Sequence, residues 1–104
     1  MNKAQVFLAG GDEVGWALDE DLKLTKSALK GIVEFADLSA CGIVHSVWWE
    51  ALARLPVVEL AEKTIICHMS GEPRRYFSMP KFRHMSSLVG LWIVRTLQAA
   101  RELA

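Results

Sequence analysis

No stretch of this chain approaches the roughly 20 consecutive apolar residues that a membrane-spanning helix needs. A secretory leader is equally hard to find: Lys3 is followed only by the short run Val6–Ala9 before Gly10-Gly11. Charge of one sign is also missing, with 12 Lys+Arg against 12 Asp+Glu and a net charge of zero. A neutral chain exerts no long-range pull on nucleic acid or on an acidic membrane, so no nucleic-acid partner is expected. Cysteine is scarce. Cys41 and Cys67 lie far apart in apolar runs, which fits reduced core residues better than a disulfide framework. Together these absences point to a cytoplasmic protein, with at most a peripheral association at a membrane. There is no internal repeat, linker or low-complexity segment, and 104 residues make one domain the expectation.

What is abundant is apolar character. Hydrophobic residues make up 52% of the chain and the mean hydropathy is +0.22. Such a composition argues against disorder. In so short a chain it also leaves apolar surface for a partner.

Val6–Ala9 reads as a buried strand closed by Gly10-Gly11. Leu18, Leu22, Thr25 and Leu29 then recur at helical spacing. Asp19, Glu20 and Asp21 stand at the start of that segment, Lys26 and Lys30 near its end, and Gly31 just after it. Acids first, bases last and a closing glycine all favour a helix. Ile32–Phe35, Gly42–Val47, Thr64–Met69 and Val89–Val94 read as further strands. Trp48–Leu55, Lys81–Ser87 and Thr96–Leu103 read as helices, the first stopped by Pro56, with a loop at Gly71-Glu72-Pro73. Short apolar strands alternating with helices predict an α/β fold, a Rossmann-like open parallel sheet with helices on both faces. Fewer strands are visible than in most doubly wound domains, so an incomplete domain is expected.

In an open parallel sheet, ligands bind outside the carboxyl ends of the strands. Here those ends are Gly10-Gly11, His45-Ser46, His68 and Arg95-Thr96. Glycines, two histidines, hydroxyls and an arginine are thereby assigned to one edge. The glycine spacing, Gly10, Gly11 and Gly15, is not the dinucleotide fingerprint, and Asp12, Glu13 and Asp19–Asp21 crowd the same loop with charge that repels phosphate. A plain strand-to-helix turn is the simpler reading of that loop. His45 and His68 suit ligand binding or general-base work, against a simpler role as strand-end histidines bonded to backbone. A zinc site from His45, His68, Cys41 and Cys67 is disfavoured, because adjacent strand residues such as Cys67 and His68 face opposite ways. No metal or cofactor is therefore expected. Trp48 and Trp49 do not share a helix face; Trp48 is assigned to the core with Leu52 and Leu55. Arg74-Arg75-Tyr76-Phe77 mixes base and aromatic and reads first as a solvated loop with an anchored ring, with contact to phosphate, an anionic lipid surface or nucleic acid as the alternative.

Three pieces of the chain resemble the amino-terminal domain of GT-B glycosyltransferases of the family 4 type. They are Val14–Asp19 after a glycine turn, Gly42–Trp49, and Lys63–His68 followed by Gly71-Glu72-Pro73; Val89–Thr96 resembles a later strand of the same domain. The likeness spans most of residues 6–104, in the family's order. It implies the acceptor-side half of a two-domain enzyme that uses a nucleotide-sugar as co-substrate. By matching position it places Gly10, Gly11 and Gly15 at a donor-facing loop. His45, His68, Trp16 and Arg95 become the acceptor-binding candidates, for a carbohydrate or lipid-linked acceptor. The chain is too short to hold the family's second, donor-binding domain, so the partner implied is that domain, or a second copy through an apolar face. Transfer by this polypeptide alone is not expected. The alternative is a non-catalytic Rossmann-like ligand-binding or interaction module. A response-regulator-like domain fits less well, since its middle strands should end in Asp rather than in His45 and His68.

Overall fold

A computed structural model describes residues 3–10, 17–69 and 71–104, and for 17 and 18 the backbone alone. The chain runs β1 (Gln5–Ala9), α1 (Ala17–Leu29), β2 (Glu34–Phe35), β3 (Ile43–Ser46), α2 (Trp49–Ala53), α3 (Val57–Leu60) and β4 (Thr64–Met69). A 3-10 turn (Pro73–Tyr76), α4 (Pro80–Ser86), β5 (Leu91–Val94) and α5 (Leu97–Leu103) follow. The strands form one five-stranded sheet in the order β2-β1-β3-β4-β5, and every pairing is parallel. The fold is α/β and Rossmann-like. The order reverses at β1: the chain steps to β2 on one side, then returns to place β3 on the other. The β1–α1–β2 crossover runs one way along the sheet and those from β2 onward run the other, which with the usual right-handed connection puts α1 on one face and the helices after β3 on the other.

Register fixes what each face carries. Leu8, His45, Ile66 and Leu91 pair in a row, and His68 pairs with Ile93, all on the α1 side. Val44, Ile65, Cys67 and Met69 point the other way and are fully buried against Trp49, Leu52, Phe82 and Met85. This second side is the core. Trp49 meets Phe82 edge-on with centroids 5.2 Å apart and Tyr76 at 5.2 Å, a favourable aromatic geometry. Trp49, not Trp48, is the buried tryptophan at 1% exposure; Trp48 is half-buried against the cluster, as is Leu55.

The strands are not buried on both faces, as their apolar runs predict. Among the described residues, α1 is the helix that lies on this side. Leu91 is 54% exposed and Ile93 40%, while Ile66 and His68 are half-buried. The helix read over Trp48–Leu55 ends at Ala53, and Pro56 opens the additional short helix α3.

Candidate functional site

The site is built where β1, β3, β4 and β5 end. Gly10 leaves β1 with φ of +135°, and a Cβ placed on it would collide with the side chain of Val47. Glycine is required there by both conformation and space. Val47 N–H donates to Ala9 O at 2.9 Å, so β1 and β3 end side by side. One residue earlier Ser46, wholly buried, donates from Oγ to Trp48 O at 2.7 Å and accepts from Trp48 N–H at 3.4 Å. That local loop turns the chain sharply from β3 into α2 and leaves His45 facing the α1 side.

His45 and His68 come from neighbouring strands, two positions out of register, and their rings reach across the offset. Their Nε2 atoms lie 2.7 Å apart and the ring centroids 4.9 Å apart, tilted by 45°. One ring must donate and the other accept, so at least one imidazole is neutral. Burial lowers the pKa of His45 below the usual histidine value, and the neighbouring His68 lowers it further. Burial also lowers that of His68; Asp21 opposes the shift and Arg95 reinforces it. Both rings are thus held as weak acids' conjugate bases near neutral pH, available to accept a proton. Arg95 Nη2 reaches Asp21 Oδ2 at 3.4 Å across the carboxyl ends of the strands. Asp21 thereby joins the two histidines and Arg95.

Beside this cluster lies a cavity of about 520 Å³ between the 71–73 loop and the start of α5, with Arg95 in its wall. Thr96 caps α5 there, its Oγ1 accepting from Ala99 N–H at 3.0 Å.

Of the residues singled out from the sequence, His45, His68 and Arg95 meet at one edge. Gly10 stands at the same edge but serves the packing of β1 on Val47. Gly11, Gly15 and Trp16 lie outside the described residues. Cys67 is on the buried face, its thiol pushed up to about 12 by burial, and Cys41 Sγ donates to Leu38 O. Among the described residues no cluster of three or more His, Cys, Asp or Glu is arranged to hold a metal ion. Asp21 was not legible as a site residue. Its sequence position marks it only as one of the acids near the start of α1, and its partner Arg95 is 74 residues away.

No family model, curated protein or solved structure matches the chain.

Proposed function

We propose that this chain is the acceptor-side half of a glycosyltransferase, working with a separate domain that binds the nucleotide-sugar donor. The observation that carries the reading is the His45–His68 pair at the carboxyl ends of the two central strands. A neutral imidazole nitrogen, once its lone pair is released from the partner ring, is the group that accepts a hydroxyl hydrogen and, as the hydroxyl becomes a nucleophile, its proton. A sugar hydroxyl arriving at the pair displaces one ring as hydrogen-bond partner of the other. The released Nε2 then points at the reacting oxygen. Asp21 and Arg95 supply opposed charges at the rim and orient the rest of the acceptor. No donor site is claimed for this chain. Gly10 lets the backbone run close to Val47 at the crevice beside β1, where the donor-facing loop of the resemblance begins. Transfer needs acceptor and donor held together in a closed cleft, so the chain alone is expected to bind without turnover. The half-covered β4–β5 face supports the same reading, since it offers the donor domain an apolar seat.

The test is titration of the full chain with a panel of hexoses, disaccharides and alkyl glycosides, followed at the imidazole resonances of His45 and His68. Saturable shifts at both rings are expected, lost in the His68→Ala variant while its thermal unfolding stays close to that of the parent. Silence of both rings across the panel overturns the acceptor role. The exposed Leu91 and Ile93 also favour a second reading, an interaction module without chemistry. That reading gains if a protein partner covers this face and the rings stay silent.

A further inference from the structure

The cavity beside the histidines has its own chemistry. It sits outside the carboxyl ends of β4 and β5, and its volume of about 520 Å³ falls in the range of small-molecule sites, roughly 300–1,000 Å³. Its charged lining is mixed: Arg75, Arg95, Glu72 and Glu102 all border it. The two acids are drawn toward Arg74, whose Nε lies 3.7 Å from Glu72 and 3.8 Å from Glu102, and Glu102 Oε1 also accepts from Arg74 N–H at 3.3 Å. Arg75 has no acid partner among the described residues. Arg95 shares one guanidinium nitrogen with Asp21, which leaves donors of its fork open. Glu102 lines the same cavity, and its Oε2 has no hydrogen-bond partner among the described residues. A small rotation of that carboxylate would let it accept from a ligand hydroxyl, since a carboxylate offers several lone pairs. Gln98, also in the lining, offers a donor and an acceptor.

We infer that this cavity binds a phosphorylated sugar, its phosphate held by Arg75 and Arg95 and its hydroxyls by Glu102 and Gln98. A bare anion is disfavoured by the two carboxylates, and an uncharged sugar leaves Arg75 unmatched. Guanidinium forks suit phosphate because they offer paired donors to two of its oxygens. The inference rests on the acceptor-side reading only in taking this ligand to be part of the acceptor; binding itself is independent of transfer.

The experiment is a titration of the full chain with glucose 6-phosphate, mannose 6-phosphate, glucose 1-phosphate, glucose and inorganic phosphate. It is followed at the backbone amides of Met69, Gly71 and Ala99, with the His45 and His68 rings recorded in the same spectra. At least one hexose phosphate is expected to bind more tightly than both glucose and inorganic phosphate. Affinity should fall about ten-fold in Arg75→Gln, the loss of one charge-assisted contact, and by a similar factor in Glu102→Gln. Arg75 is exposed, so its variant should unfold at the parent's temperature. No saturable binding of any hexose phosphate at millimolar concentration overturns the assignment. So does equal binding of inorganic phosphate, or affinity unchanged in Arg75→Gln. Shifts at the amides with silent histidine rings would uphold this site and count against the acceptor chemistry of the histidine pair.

Discussion

Two imidazole nitrogens 2.7 Å apart can share one proton but not hold two. Both histidines have pKa values lowered below the ordinary 6.5, chiefly by burial. The unfolded chain therefore binds more protons than the folded one just below pH 6.5. Stability contributed by the pair is fully present above about pH 6.5 and drains away as the pH falls toward the folded values. Chemical denaturation at pH 7.5 and pH 5.5 should show a loss at the lower pH that is smaller in the double variant His45→Gln/His68→Gln. An identical loss in that variant would place the effect elsewhere. Gly10 makes a second prediction at this scale. Gly10→Ala forces a side chain into φ of +135° and against Val47, and should cost about 2 kcal/mol or more, read as a shift in the denaturation midpoint. Cys67, with its thiol pushed up to about 12, should resist alkylation at pH 8 until the protein unfolds, because the thiolate is the reactive form.

The elements differ in how far their residues announce them. α1 was readable because its end charges, its apolar spacing and Gly31 all agree. β4 was readable because Thr64–Met69 is an unbroken β-prone run between Lys63 and a glycine loop. The order of the two tryptophans was not readable. Adjacent helical residues differ by about 100°, and which one faces the sheet depends on the sharp Ser46–Trp48 turn, a tertiary detail. The consequence can be measured: Trp49→Ala, emptying the centre of the aromatic cluster, should cost about 3–5 kcal/mol, whereas Trp48→Ala at its half-buried edge should cost markedly less. Equal costs would contradict the packing. The four-residue α3 escaped detection because Pro56 signals a stop, and the same proline, at φ of −60° and ψ of 128°, opens the next turn.

At the scale of the whole molecule, the alternation of strands and helices predicts the parallel sheet, and the strand-end rule brings His45, His68 and Arg95 to one edge before any coordinates are known. The one-sided burial of the sheet is beyond such reasoning. Ile66, Leu91 and Ile93 look like core residues in sequence, and only the positions of the helices show that Leu91 and Ile93 stay exposed. The approach of Asp21 to Arg95 is a product of topology in the same sense. An exposed apolar face of this kind should bind a hydrophobic dye or drive self-association in the isolated chain. The double variant Leu91→Glu/Ile93→Glu should abolish that behaviour with a stability change of about 0.5 kcal/mol or less per site. A dye-silent parent monomer in light scattering would remove the support this face lends to a partner domain.

The imidazole pair itself can be read directly. Long-range proton–nitrogen correlation spectra of the full chain, recorded from pH 5 to pH 8, give the tautomer and protonation state of each ring. At pH 7 one Nε2 should carry the shared proton and the other none, and both rings should titrate below 6.5. Addition of a binding sugar should split the pair into two separately hydrogen-bonded rings. Two rings that titrate independently at or above 6.5, unmoved by every sugar tested, would rule out a proton-sharing pair that takes an acceptor hydroxyl.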